Sequence, residues 1–231
     1  MSQRIQAPPF REHIFYSGIA LAFGICVFVG FSRTYYLKGL FGTPHLSWLA
    51  HLHGAMFTVW TVFFLCQVAL VAAGRTDLHR RIGRLGAVVG AGVVMLGIVM
   101  TLHSMHARYA SGRPGIAGLL INGFMNLFLF SVFFGAGLLF RRKKEIHKRL
   151  MVLAMLSLII PAIGRLPIPF SLIGWVIFAF SLTGVIYDAI VLRRLYLTNV
   201  AGVLLINVAT PLRFMIADAQ GWQRFSEWIA R

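Results

Sequence analysis

The chain has 231 residues, of which 58% are hydrophobic and only 12% are charged, whereas a soluble domain has roughly 25% charged residues. The formal net charge is +16, but the basic residues lie in short loops between apolar runs, where they set topology and contact anionic headgroups. We therefore exclude a nucleic-acid-binding protein. The sequence also contains no Walker loop, His-Glu-x-x-His or Gly-x-Ser-x-Gly motif, which argues against a kinase or a hydrolase.

Long apolar runs predict transmembrane helices, because the hydrocarbon core of a bilayer needs about 20 helical residues and offers backbone amides no water partner. Pro44 and Pro114 precede the second and fourth runs, and Pro211 and Arg213 interrupt the seventh. The predicted fold class is all-α, a polytopic transmembrane bundle of about seven spans in a single integral membrane domain. The predicted spans are 14–32, 46–74, 84–105, 115–140, 150–166, 169–192 and 199–217.

The distribution of charge predicts an orientation in the membrane. Most of the 22 Lys and Arg residues lie in the N-terminal segment and in the second, fourth and sixth loops. The positive-inside rule therefore places the N-terminus in the cytoplasm and, with seven spans, the C-terminus outside. We expect the protein to reside in a bacterial plasma membrane, with anionic lipid headgroups bound at the inner loops.

An internal repeat relates the second and third spans to the fourth and fifth. Residues 77–82 (Asp-Leu-His-Arg-Arg-Ile) return as residues 145–150 (Glu-Ile-His-Lys-Arg-Leu), and each segment opens an apolar run. Residues 52–56 similarly parallel residues 121–125 in the second and fourth spans. Both copies have the same orientation, as in parallel-repeat membrane folds. We therefore expect spans two to five to form a four-helix core flanked by spans one, six and seven.

The repeat places His79 and His147 at matching depths on the inner face. Imidazole is the commonest metal ligand, so the pair predicts a cofactor site, with Arg81 and Arg149 able to hold headgroups or the propionates of a cofactor. The acidic residue two positions before each histidine can cap the helix start or orient the imidazole. The alternative is a duplicated topology anchor without a ligand.

Four further histidines map to the outer ends of the second and third spans and form a candidate metal site: His51, His53, His103 and His106. Trp60 and Gln67 follow His53 at seven-residue spacing and share its helix face, so we expect His53 rather than His51 to face the core. The other two histidines lie three residues apart and could chelate one ion together. The alternative is that all four are interface residues that bind water and headgroups.

Other polar residues lie within the apolar spans or at their ends. Asn122 and Asn126 are four residues apart near the outer end of the fourth span, where they could join the outer histidines. Because charges at membrane depth are costly, we expect Arg165, Asp188 and Arg213 to face the bundle and to pair with polar groups. Arg165 could join the outer histidines, and Asp188 could meet one of the inner pair.

Several segments carry a resemblance to an uncharacterised family of bacterial multi-pass membrane proteins. They are residues 30–36 (GFSRTYY), 51–54 (HLHG), 78–83 (LHRRIG), 147–151 (HKRLM) and 161–165 (PAIGR). The resemblance implies a membrane protein and brings no activity with it. The chain is also similar, more weakly, to di-haem b-type cytochromes, which pair histidines from alternate helices. That similarity implies His79 and His147 as the inner haem ligands. The outer pair lacks a histidine on the fourth span, where Asn122 stands, and would need His103 or His106 as a substitute.

The leading functional hypothesis is a histidine-ligated haem b or transition-metal ion that serves membrane electron transfer or cofactor handling, with a quinone in the lipid as a candidate substrate. One alternative is a non-catalytic protein that assists the assembly of, or packs against, a larger membrane complex. Another is a small transporter whose path is lined by Arg165, Asp188 and Arg213. An absorption spectrum with metal analysis would separate these classes.

Overall fold

The computed structural model describes residues 9–231, and within that range the chain is helical and contains no β-strand. The helices are α1 (Pro9–Phe31), α2 (Trp48–Ala72), α3 (Thr76–Ala110), α4 (Ile116–Leu139), α5 (Lys144–Ile163), α6 (Phe170–Ile190), α7 (Leu197–Asp218) and α8 (Gln220–Ala230). Among the described residues, α1 to α7 are each long and apolar enough to cross a membrane. The predicted polytopic bundle of about seven spans is confirmed, and the chain is a multi-pass membrane protein.

Helices α3 and α5 begin earlier than their hydropathy predicted. The predicted starts were residues 84 and 150, whereas the helices begin at Thr76 and Lys144. Hydropathy locates the part of a helix that fits the hydrocarbon, and a helix can continue into the polar interface. Acidic side chains in the first turn of each helix favour this extension through the helix dipole. The two duplicated segments therefore form helix starts, as expected, and only the predicted bounds of the spans were too short.

Helix α7 runs without a break through Pro211 and Arg213. The sequence suggested an interruption there, because proline removes a backbone donor and arginine is costly in lipid. Transmembrane helices tolerate proline when neighbouring groups satisfy the freed carbonyl. The arginine side chain is buried against α4, so neither residue ends the helix.

The amphipathic helix α8 was not predicted, because it is short and apolar on one face only. It packs on α3, α4 and α7. The indole Nε1 of Trp222 donates a hydrogen bond to the carbonyl of Ala117 at 3.0 Å, and Nδ1 of His106 lies 2.9 Å from the carbonyl oxygen of Ala230. The signal for this helix was the spacing of Trp222, Phe225 and Ile229, which recur every three or four residues.

The core of the bundle surrounds α5. Most side chains of this helix beyond residue 150 are buried, and it packs against α1, α4, α6 and α7. Helices α2, α3 and α4 pack in chain order, and α1 lies against both α2 and α5. The prediction that spans two to five form the core is therefore wrong in its members: α5 packs against α1, α6 and α7 as well as α4, and Ile19 and Phe23 of α1 belong to the core. We call the face that holds the start of α1 the N-terminal face and the face that holds α8 the C-terminal face.

Close contact between α1 and α5 requires glycine at position 30. A Cβ atom on Gly30 would lie 2.3 Å from the backbone oxygen of Ala162. We expect Gly30→Ala to push the helices apart and to lower the free energy of unfolding by about 1–3 kcal/mol, measured by thermal unfolding in detergent. Gly18→Ala is the matched control on the same helix, because open space surrounds that position. Equal melting temperatures for the two variants would contradict this account of the packing.

Candidate functional site

The structure brings His79 and His147 together at the N-terminal face. Their ring centroids lie 6.3 Å apart, with the ring planes at 76°. Each histidine is in the first turn of its helix, on α3 and α5 respectively, and each is half-buried. The pairing follows from the parallel repeat, which puts the two helix starts at the same membrane depth.

A backbone carbonyl of the preceding helix orients each imidazole. Nδ1 of His79 lies 3.3 Å from the carbonyl oxygen of Gln67 on α2, and Nδ1 of His147 lies 2.8 Å from that of Gly137 on α4. Because a carbonyl oxygen only accepts, each Nδ1 carries the hydrogen, and each Nε2 keeps a lone pair. Histidines that bind metals generally have this arrangement, in which the second nitrogen donates to a carbonyl or a carboxylate.

The spacing of the two rings fits a shared metal centre. Two imidazoles that bound one ion through nitrogens about 2.0–2.1 Å from it would have ring centroids roughly 5–6.5 Å apart, depending on the angle at the metal. The observed separation of 6.3 Å lies in this range. Within residues 9–231, however, no three His, Cys, Asp or Glu side chains are grouped so that they could hold a metal ion. The pair therefore offers two protein ligands, and any others must come from a cofactor, water or substrate.

Arg149 cannot serve a cofactor propionate as the sequence suggested, because its side chain is only 1% exposed and is already engaged. Its Nε donates to Oδ2 of Asp188 at 3.1 Å, Nη2 donates to Oδ1, and Nη1 donates to Oε2 of Glu145 at 2.9 Å. The two carboxylates neutralise the guanidinium and hold it in place. Arg81, its counterpart in the repeat, is exposed at the start of α3 and remains free for an anionic group.

Asp188 therefore meets an arginine and not a histidine of the inner pair. It is fully buried, and Oδ2 also accepts a hydrogen bond from Nδ2 of Asn199 at 2.8 Å. Nearby, Nζ of Lys148 lies 2.7 Å from Glu145 and 2.9 Å from Glu12 on α1. This network, which is fully buried only at Arg149 and Asp188, joins α1, α5, α6 and α7 beside His147. We infer that it fixes the start of α5 and with it the position of the His147 ring.

The four outer histidines do not form one site. His51, His103 and His106 are exposed, while His53 is half-buried with its ring centroid 4.2 Å from that of Phe57. His106 instead faces the end of α8, which covers this end of α3. In the part of the chain that the structure describes, the C-terminal face thus holds no cluster of metal ligands. The expected cluster is missing in part because α8, which was not predicted, contacts His106.

The face of α2 that carries His53, Trp60 and Gln67 points into the bundle, as the seven-residue spacing indicated. The Trp60 ring packs edge-on against Phe130 and Phe134 of α4, with centroid distances of 5.1 Å to each. His53 Nδ1, Trp60 Nε1 and both amide atoms of Gln67 are buried without a hydrogen-bond partner among residues 9–231. Polar atoms thus occur along this face of α2 from His53 to Gln67, whose backbone carbonyl orients His79.

The three charges expected inside the bundle have different environments. Asp188 and Arg213 are buried, whereas Arg165 is exposed in the turn after α5, contrary to the expectation. Nη1 of Arg165 donates to the carbonyl of Pro161 at 2.7 Å, and its guanidinium lies 4.9 Å from the centroid of Phe31. This hydrogen bond to the end of α5 holds the guanidinium at the end of the helix, where a charge costs less than in the membrane interior.

No family model matches the chain, and no match was found among curated proteins or solved structures. The fold and the site together describe a multi-pass helical membrane protein with a carbonyl-oriented histidine pair at its N-terminal face.

Proposed function

We propose that the protein holds a transition-metal centre between His79 and His147 and uses it in membrane electron transfer or in cofactor handling. The observation that carries this proposal is the pair itself. Two imidazoles from α3 and α5 lie at metal-bridging separation, and each is turned by a carbonyl so that Nε2 is free. Two histidines that only helped to fix the membrane topology would need neither this ring separation nor the orientation of the rings by backbone carbonyls.

The metal centre is either the iron of a haem b or a single bare ion. A haem needs only two axial ligands, because the porphyrin supplies the other four. Two apolar grooves on residues 9–231 are not lined by His79 or His147. A porphyrin would need space between α3 and α5 that a bare ion would not need. A bare ion with two protein ligands would keep open positions for water or a substrate.

The chain's own residues supply orientation and charge. The carbonyls of Gln67 and Gly137 hold the rings and make the imidazoles better ligands. Basic side chains at the same face, among them Arg80 and Arg81, are exposed and can bind propionates or other anionic groups. Positive charge near a redox centre favours its reduced state. A quinone in the lipid or a redox partner complex would exchange the electrons.

The test is an absorption spectrum and metal analysis of the protein purified in mild detergent from cells supplied with haem precursor and transition metals. We expect about one metal per chain. A Soret band would identify haem, and stoichiometric metal without that band would identify a bare ion. A colourless, metal-free preparation that takes up neither haem nor Cu, Fe or Zn on titration would overturn the proposal and favour the assembly-protein alternative.

The transporter alternative depends on Arg165, Asp188 and Arg213 lining one path. Asp188 is held in the ion pair with Arg149 at the N-terminal face, Arg213 contacts α4 near the C-terminal face, and Arg165 is exposed. This placement supports the metal-centre proposal over transport, because the three charges do not share a continuous surface. Loss of transport in Asp188→Asn would also be hard to separate from loss of folding.

A further inference from the structure

Arg213 is a buried cation near the end of α7 whose hydrogen-bonding capacity is only partly used. Its side chain is 5% exposed. Nε donates to the carbonyl of Ala209 at 3.2 Å, and Nη1 lies 3.2 Å from Oδ1 of Asn126 and 3.4 Å from Oδ1 of Asn122. Nη2 is buried and has no partner within residues 9–231.

In the part of the chain that the structure describes, no Asp or Glu side chain forms a salt bridge with this guanidinium. Asp and Glu number only six in the whole sequence, and none precedes residue 9. Glu12, Glu145 and Asp188 belong to the network at the N-terminal face, and Asp77 pairs with Arg75. The remaining two, Asp218 and Glu227, are exposed, and in the described part of the chain neither forms a salt bridge with Arg213.

An isolated ion in a low-dielectric interior is costly unless it is paired. The side-chain oxygens of Asn122 and Asn126 bring partial negative charge, but they leave the net charge of the guanidinium in place. Arg149, in contrast, is neutralised by two carboxylates. Arg213 is buried, amide oxygens accept hydrogen bonds from Nη1, and the two hydrogens on Nη2 have no acceptor among residues 9–231. Such a cation is suited to bind an anion.

We propose that Arg213, Asn122 and Asn126 form a binding site for an oxyanion, one oxygen of which accepts hydrogen bonds from Nη2. The site lies at the C-terminal face, where α8 packs on α3, α4 and α7, so it is separate from the histidine pair. The ligand chemistry is a phosphate, sulfate or carboxylate group. At this depth it can be the phosphate of an anionic lipid or a soluble oxyanion.

The experiment measures the melting temperature of the detergent-purified full chain with two kinds of probe. Sulfate is compared with chloride at equal ionic strength, and phosphatidylglycerol is compared with phosphatidylcholine in mixed micelles. We expect saturating oxyanion to raise the melting temperature by about 5 °C. A response to both probes indicates a soluble oxyanion that lipid phosphate can imitate, and a response to phosphatidylglycerol alone indicates a lipid site.

Two variants and one control separate this site from general effects, because sulfate also stabilises proteins by exclusion from their surface. Arg165→Gln removes an exposed arginine at the same face and should keep the full response, whereas Arg213→Gln should lose it. Asn126→Asp places a carboxylate next to Nη1 and should raise the starting melting temperature while abolishing the response. It decides the question even where Arg213→Gln does not fold. The proposal is overturned if wild type responds to neither probe, or if Asn126→Asp responds as wild type does.

Discussion

Arg149→Met should lower the free energy of unfolding by about 3–5 kcal/mol, because it leaves the buried carboxylate of Asp188 without its cation. Both side chains are almost fully buried, and the guanidinium also donates to Glu145 and stacks 3.6 Å from the ring centroid of Tyr196. The measurement is reversible unfolding in mixed detergent micelles or, where unfolding is irreversible, the melting temperature.

Removing both charges should recover most of that loss. In the double variant Arg149→Met/Asp188→Leu no ion is left buried alone, and apolar replacements of a buried ion pair are often neutral or stabilising. Arg75→Met is the matched control, since its salt bridge to Asp77 is exposed and should contribute no more than about 1 kcal/mol. A double variant as unstable as Arg149→Met would show that the network stabilises by packing rather than by charge pairing.

The second large effect is expected at the proposed metal centre. His79→Ala or His147→Ala should each lower metal or haem affinity by more than about 100-fold. The double variant should bind no more weakly than either single one, because two ligands of one metal act as a unit and their losses do not add. The measurement is a binding titration followed by absorbance or by competition with a chelator.

His51→Ala is the control for these histidine variants. Its side chain is exposed on α2 and lies outside the pair, so the affinity should change by less than about twofold. Losses of affinity that add in the double variant would mean that the two histidines contribute independently and do not act as a unit. An equal loss in all three variants would point to general misfolding rather than to a site.

The seven spans could be predicted from the sequence because, in lipid, every apolar run must form its backbone hydrogen bonds within the run and is therefore helical. The arrangement of the helices could not be predicted in the same way. Helix α1 enters the core because Gly30 lets it approach Ala162 on α5, and a single sequence does not state which glycine faces which helix. The short helix α8 has too little apolar surface for a hydropathy reading and gains its stability from contact with α3 and α4.

The inner histidine pair could be predicted because duplication implies equal depth for His79 and His147. The partner of Asp188 could not be predicted: a polar partner was expected, with a histidine of the inner pair as the candidate, but the partner is Arg149. Arg81 and Arg149 occupy the same position in the repeat, but only Arg149 is buried, because α6 and α7 cover α5 and α6 supplies the carboxylate of Asp188. Similar local sequences thus have two different environments.

The amino-acid sequence alone determined that this chain crosses a membrane about seven times and that its duplicated helix starts share one depth, since both follow from the cost of unpaired backbone and charge in lipid. Only the tertiary structure decided which polar groups meet. The rotation of each helix about its own axis depends on packing between distant residues. That packing brings the rings of His79 and His147 to a centroid distance of 6.3 Å, gives Arg149 its carboxylates and places the amides of Asn122 and Asn126 against Arg213.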